Sequence, residues 1–317
     1  PARGLDIGVD DGAGNPVVEG KHCTAYLWEE ILQKDMLLRI IREFMFIDDE
    51  GALIFPRYHQ LRAVLRGEAD VKEKGIGGRY LFWHSAGSGK TKTIAWLAKR
   101  LINNQDINTV IIISDRTVID GQLAAELKNV DGAKGVAKHI DTTSKQVLKM
   151  LGDGGYIIVT TLQKFRPILD EIKRIENRNY AIIIDEAHSS TAGKSMSKAS
   201  ETLTGKSLKD AAEIDAVYEE LEDDQNQILK NAAVIRATNN VSYFAFTATP
   251  KKETMELFGT RTEQGKSYFD KYSMKQAIEE RYIINPLLCY TNYSDKYEIK
   301  KKKDDESEYE SSKAQAA

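Results

Sequence analysis

Arg79-Tyr80-Leu81-Phe82-Trp83-His84-Ser85-Ala86-Gly87-Ser88-Gly89-Lys90-Thr91 is the stretch on which the fold turns. Tyr80 to Trp83 is a short continuous apolar run, as in a buried strand. From Lys90 the spacing changes, because Ile94, Leu97, Ala98 and Leu101 recur at i, i+3, i+4 and i+7, one face of a helix. The intervening Ser85, Ala86, Gly87, Ser88 and Gly89 form a loop of small residues. Its backbone N–H groups can close around a phosphate beside the positive end of the helix dipole. Lys90 then reaches the β- and γ-phosphates, and the Thr91 hydroxyl ligates Mg²⁺. The general pattern of such loops has glycine where His84 stands. The groups that do the chemistry are intact, so the stretch predicts ATP as ligand with Mg²⁺.

Upstream, Phe55-Pro56-Arg57-Tyr58-His59-Gln60 precedes a helix through Leu61, Val64 and Leu65. The Gln60 amide can donate and accept together, as reading adenine requires, and an adjacent ring can stack on the base. Residues 67–79 are rich in Gly and Lys and read as a connector. Further back, Thr24 to Phe46 is expected to be helical, with Leu27, Ile31, Leu38, Ile41 and Met45 on its apolar face. The first 22 residues have no sustained period and read as an irregular lead-in.

Downstream, apolar runs recur at Val110–Ile113, Tyr156–Val159, Tyr180–Ile184 and Tyr243–Phe246, with helical patterns between them. This alternation predicts an α/β fold: a mostly parallel sheet flanked by helices and preceded by a helical lead-in. Ligands of such sheets gather at the carboxyl ends of the strands, where each candidate motif falls. Ile182-Ile183-Ile184-Asp185-Glu186-Ala187-His188 ends an apolar run in two carboxylates. Asp185 is suited to hold Mg²⁺ and Glu186 to polarise an attacking water. His188 is placed to sense the γ-phosphate. Phe244-Ala245-Phe246-Thr247-Ala248-Thr249-Pro250 ends a further run in hydroxyls. Thr247 and Thr249 are candidates for linking hydrolysis to movement.

The chain has 317 residues, a formal net charge of −3 and 29% charged residues. Overall charge therefore does not draw it to nucleic acid, and such contact requires a local patch. Cys23 and Cys289 suggest neither a disulfide framework nor a metal site. A reduced, cytoplasmic setting is expected, and no apolar run approaches a membrane span. Residues 191–207 read as a flexible loop. An amphipathic helix follows with Ile214, Val217, Tyr218 and Leu221 on one face. Met274–Arg281 is helical in pattern, Ile283–Tyr290 strand-like, and the Lys300–Lys303 end disordered.

Between Tyr26 and Pro286 the sequence resembles helicase superfamily two and, within it, the motor subunit of type I restriction enzymes. The likeness rests on Arg57-Tyr58-His59-Gln60, His84 to Thr91, Ser114-Asp115-Arg116 with Gln122, Thr160-Thr161-Leu162-Gln163, the Asp185 to His188 box and Thr247 to Pro250. In that family the His84 position is often histidine, which accounts for the departure in the loop. The resemblance implies a RecA-like first motor lobe at 51–260, a lead-in and helical linker at 1–50, and a passage toward a second lobe at 261–317. It implies ATP-driven movement of double-stranded DNA, in a complex with modification and specificity subunits. It also places Arg116, Thr161, Gln163 and Lys164 on the DNA backbone, without sequence readout. Ser189-Ser190 departs from the basic residue the family commonly has after the box. Two other readings stay open: a superfamily-two remodeller acting on RNA, and a non-catalytic module with a vestigial ATPase fold.

The arginine that usually stabilises the transition state belongs, by resemblance, to the second lobe. Residues 1–317 alone are therefore expected to bind ATP·Mg²⁺ weakly and to hydrolyse it slowly in a steady-state phosphate-release assay. Brisk DNA-stimulated turnover would contradict this.

Overall fold

The computed structural model describes residues 19–22, 24–48, 50–114, 117–131, 137–139, 150, 153–161, 178–187, 240–262 and 265–285. In chain order, a π-helical turn (Leu27–Ile31) leads to α1 (Lys34–Glu43), the short strands β1 (Phe46–Ile47) and β2 (Leu53–Ile54), and α2 (Tyr58–Lys74). Then come β3 (Arg79–His84), α3 (Lys90–Ile102), β4 (Thr109–Ser114), α4 (Thr117–Asp131), β5 (Ala137–His139), β6 (Tyr156–Thr161) and β7 (Tyr180–Ile184). The remainder is β8 (Val241–Thr247), α5 (Lys252–Phe258), β9 (Thr260–Thr262), β10 (Gly265–Ser267), β11 (Asp270–Tyr272) and α6 (Met274–Glu279).

The apolar runs align into one seven-stranded sheet in the order β11-β3-β8-β7-β4-β6-β5, every pair parallel. The expected α/β architecture is thus observed. Both faces are covered, so β4, β7 and β8 are buried along their whole length and show no alternation. One face packs Leu61, Val64, Trp96, Leu97 and Leu123 against the sheet; the other packs Leu257 and Phe258. The registers Tyr272↔His84, Trp83↔Thr247, Ile184↔Ala245 and Ser114↔Thr161 bring the carboxyl ends of six strands to one edge.

The connector expected at residues 67–79 begins only after Lys74, because α2 runs on that far; two further expectations need correction. The span from Thr24 to Phe46 is not one helix: the π turn closes at Ile31, and Gln33 is extended before α1 begins. That break shifts the helical phase. Ile40 and Phe44 enter the core, while Leu38 and Ile41 are 55% and 51% exposed. The Trp96 indole N–H donates to the Phe44 carbonyl (3.0 Å), and Arg100 bridges to Glu43 (2.8 Å), so α1 is welded to α3. The second correction concerns the far end. A lobe ending near residue 260 omits β11, which pairs with β3 beyond the predicted boundary. Three residues with no distinctive pattern carry too little signal to be read as a strand. Ile283 to Asn285 are irregular rather than strand-like. Residues 286–290, the 191–221 insertion and the Lys300–Lys303 run lie outside the described residues.

Asp270 opens β11 and ties three elements together. Its fully buried carboxylate accepts from His84 Nε2 of β3 (2.9 Å) and from Arg62 Nε and Nη2 of α2 (3.0 Å each); Arg66 Nη1 adds 3.1 Å. Burial alone would raise its pKa, but the His84 hydrogen bond and the Arg62 charge outweigh that and hold it down at about 2. A depressed carboxylate contributes stability that is present above its unfolded value and lost as pH falls toward the folded one. Asp270→Asn leaves Arg62 and Arg66 without their counter-charge, and is expected to lower unfolding free energy by ~3 kcal/mol or more. Urea denaturation at pH 7 measures this. The deficit relative to wild type should shrink as pH is lowered toward 2, and an unchanged midpoint at pH 7 would refute the assignment.

Candidate nucleotide site

The loop from His84 to Gly89 joins β3 to α3, as the apolar run and the following helical spacing require. Gly87 and Gly89 have φ of +74° and +82°, a region closed to most side chains. A Cβ on Gly89 would also lie 2.6 Å from Gln60 Nε2. Behind the loop stands a row of fixed supports. His59 Nε2 donates to the Ser88 carbonyl (2.9 Å), Gln60 Nε2 to the Gly89 carbonyl (3.1 Å), and the Ser85 N–H to the Tyr272 carbonyl (3.0 Å). The His59 ring lies flat on Tyr272 at 3.8 Å. Burial pushes the His59 pKa down to about 3, helped by neighbouring His84, so it supports the loop as a neutral donor. The Ser85 hydroxyl is buried without a hydrogen-bond partner among the described residues.

Lys90 and Thr91 open α3, and Asp185 and Glu186 follow β7 directly. The fold brings them together across the strand ends: Lys90 Nζ is 3.3 Å from Glu186 Oε1. Glu186 has φ of +52°, one of two non-glycine residues with positive φ among the described residues. Such strain persists where surrounding contacts over-determine the backbone. Here the Asp185 N–H donates to Ile113, the Ala187 N–H to Phe246, and the Glu186 N–H to Asp185 Oδ1 (3.0 Å). Asp185 is 6% exposed, and burial together with the Glu186 charge raises its pKa to about 6, against the opposing pull of Lys90. Two adjacent carboxylates, one of them buried, thus stand beside Lys90. Carboxylate oxygens are donors suited to a hard divalent cation, although no cluster of three His, Cys, Asp or Glu ligands occurs among the described residues.

Thr247 ends β8 buried, and its Oγ1 accepts from the Thr249 N–H (3.2 Å). Trp83, which the sequence reading passed over, donates its indole N–H to the Ala248 carbonyl (2.9 Å) and so fastens this loop to the strand that feeds the phosphate loop. Gln60 is 4% exposed, and its Oε1 accepts from the Arg57 N–H (2.9 Å). The sequence predicts a ring beside Gln60 stacked on a base, but His59 lies flat on Tyr272 and Tyr58 is turned inward. Its hydroxyl donates to Glu280 and lies 2.5 Å from the Gln276 amide. His188, Arg116, Gln163 and Lys164 lie outside the described residues, as do the side chains of Gln122 and Thr161. His59 and Asp270 also escaped sequence reading. His59 adjoins Gln60 and could have been weighed as a support, whereas nothing in the order of residues joins Asp270 to His84.

The sequence model of the SWI2/SNF2 ATPase family matches residues 59–316. Among curated proteins, the chain is similar to the type I restriction enzyme SauCOLORF180P endonuclease subunit of Staphylococcus aureus strain COL. They are 26% identical over 282 residues, covering 83% of this chain and 25% of the relative. The HindI endonuclease subunit of Haemophilus influenzae is 26% identical over 303 residues, covering 87% and 24%. The chain thus spans about a quarter of the length of these relatives. Among solved structures, the Pyrococcus furiosus Hef helicase domain aligns with a TM-score of 0.46 at 16% identity, over 73% of this chain and 40% of that one. The nuclease-deletion mutant of the type ISP restriction-modification enzyme LlaGI aligns with a TM-score of 0.44 at 16% identity, over 72% of this chain and 21% of that one. No helix among the described residues is long and apolar enough to cross a membrane.

The raised pKa of Asp185 has a measurable sign. A carboxylate whose folded pKa lies above its unfolded value costs stability. That cost is absent below about pH 4 and fully present above about pH 6. Asp185→Asn keeps an acceptor for the Glu186 N–H and removes the charge. It is expected to stabilise the ligand-free chain at pH 7.5 by on the order of 2–3 kcal/mol in chemical denaturation, an advantage that disappears near pH 4. A variant less stable than wild type at pH 7.5 would contradict the reading.

Proposed function

The chain belongs to the SWI2/SNF2 ATPase family, and from that premise we propose that it is the first, RecA-like motor lobe of a DNA translocase of the type I restriction class. On this reading it binds ATP·Mg²⁺, and hydrolysis drives movement of double-stranded DNA in a complex with modification and specificity subunits. The observation that carries the proposal is the meeting of Lys90 with the Asp185-Glu186 pair, 3.3 Å apart at Lys90 and Glu186, over a loop held open by positive-φ glycines. The similarity to endonuclease subunits of type I restriction enzymes supports the choice of system.

Each group then has a defined task. The N–H groups of the loop from Ser85 to Gly89, together with Lys90, offset the charge of the β- and γ-phosphates. Thr91 and Asp185 would hold Mg²⁺, which supplies charge neutralisation at the phosphates when bound. Once a phosphate takes Lys90, the Glu186 carboxylate is released from its lysine contact and is placed to accept a proton from the attacking water. Gln60 retains one amide proton and one lone pair beyond the bonds described above, the pair adenine N7 and N6 demand. Thr247 and Thr249, fastened through Ala248 to Trp83, are suited to pass the state of the site to the DNA side. His188 as γ-phosphate sensor, and Arg116, Thr161, Gln163 and Lys164 as DNA backbone contacts, complete the proposal.

Lys90→Ala removes the cation that meets the phosphates and is expected to weaken Mg·ATP binding at least tenfold in isothermal titration calorimetry, with the fold retained by circular dichroism. Unchanged binding would instead favour a non-catalytic module.

A further inference from the structure

The sequence predicts a ring beside Gln60 for an adenine, yet the structure commits both candidates, His59 against Tyr272 and Tyr58 to an internal cluster. Its hydroxyl and that of Tyr272 (2.7 Å) both donate to the Glu280 carboxylate, and the Gln276 amide lies 3.2 Å from the same group. Glu280 is thereby clamped at the end of α6. The chain then makes an abrupt turn at Arg281, whose φ of +61° is the second positive value at a non-glycine residue among those described. The Tyr282 N–H returns to the Ala277 carbonyl (2.9 Å) and locks the turn.

This turn throws the next two side chains over the site. Ile283 Cγ1 lies 3.5 Å from the place a Cβ on Gly87 would occupy, so it stands beside the tip of the loop. The Arg57 guanidinium sits over the Tyr282 ring at 4.3 Å from its centroid. Arg57 is the residue whose N–H is held by Gln60 Oε1. Gln60, Arg57 and Tyr282 therefore form one continuous run beside the loop. Tyr282 remains 37% exposed, unlike Tyr58, so it has ring surface to offer. A strained, non-glycine turn held by a buried clamp is the kind of feature found at ligand-binding positions.

We propose that Tyr282 is a specificity-determining residue of the nucleotide site: its ring, carried on Arg57, is the platform on which the nucleobase stacks, while Lys90 and the loop hold the phosphates. The inference rests on the ATP-site reading given above. It assigns to the segment after α6 the base-side wall of that site. The phosphate-binding and base-binding halves are then separable by ligand.

The test compares Mg·ATP with Mg·tripolyphosphate, which has the phosphates and no base, by calorimetry on wild type, Tyr282→Ala, Tyr282→Phe and Lys90→Ala. Tyr282→Ala should weaken ATP roughly fivefold or more, the lower range for loss of a base–aromatic stack, and leave tripolyphosphate unchanged. Tyr282→Phe should keep wild-type ATP affinity, since the ring rather than the hydroxyl does the stacking. Circular dichroism should show Tyr282→Ala folded, with only a small loss of thermal stability from its contact with Arg57. Equal or tighter ATP binding by Tyr282→Ala, or a parallel loss of tripolyphosphate, would overturn the platform. Those outcomes leave the site reading intact as long as Lys90→Ala weakens both ligands. If Lys90→Ala weakens neither, the site reading itself fails.

Discussion

Asp270 is a carboxylate with no access to solvent, and the geometry of the phosphate loop depends on how its charge is met. Removing such a group from water is costly, and only close partners offset the cost. Arg62 supplies a two-toothed grip from α2, and His84 supplies a donor from the last position of β3. The result ties three elements at the point where the chain must leave the sheet and turn through the loop proposed to hold a phosphate. The Ser85 N–H then bonds the Tyr272 carbonyl two residues beyond Asp270, so the first turn of the loop is drawn toward β11. A loop whose N–H groups are to meet an anion benefits from being fixed beforehand, because no ordering cost then falls on binding. His84, which departs from the glycine of the general pattern, is in this light the residue that secures the loop to its support.

The opposite electrostatic situation holds across the strand ends. Asp185 and Glu186 sit side by side with Lys90 as their nearby cation, Asp185 is pushed toward neutrality, and the backbone between them is forced into positive φ. Asp270 shows how the same fold satisfies a buried carboxylate when no ligand is intended. The contrast between a fully partnered carboxylate and a strained carboxylate pair supports the site proposed for Asp185 and Glu186. It also matches the chemistry proposed: a cation and phosphates arriving together relieve both the carboxylate pair and the lysine.

The core of this arrangement was legible in the sequence for physical reasons. Strands buried on both faces must be continuously apolar, so β3, β4, β6, β7 and β8 stand out as runs. Residues at the ends of those runs are drawn to one edge by parallel pairing, which is why Lys90, Asp185 and Thr247 can be grouped from the order of residues alone. What failed to show depended on contacts between distant positions. Asp270 and Tyr282 lie in a stretch whose local pattern is weak. The meaning of each comes from a partner far away in the chain, His84 and Arg57. The phase of α1 was misread for a related reason: an apolar periodicity assumes an unbroken helix, and the break at Leu32-Gln33 moved Leu38 and Ile41 to the surface. A ring beside Gln60 invites a shared role on a base, but His59 and Tyr58 are both turned inward, since neighbours at a helix start point in different directions.

The claim at the centre of this account is that Lys90, Thr91, Asp185 and Glu186 form one Mg·nucleotide site with a carboxylate that gives up its proton when the ligand arrives. Calorimetric titration of the chain with preformed Mg·ADP at pH 6, in two buffers of different ionisation enthalpy, tests it directly. The account predicts binding that is lost when EDTA removes the metal, and a net release of protons on binding as Asp185 ionises. Binding of equal strength with and without Mg²⁺, and no proton exchange with the buffer, would contradict it.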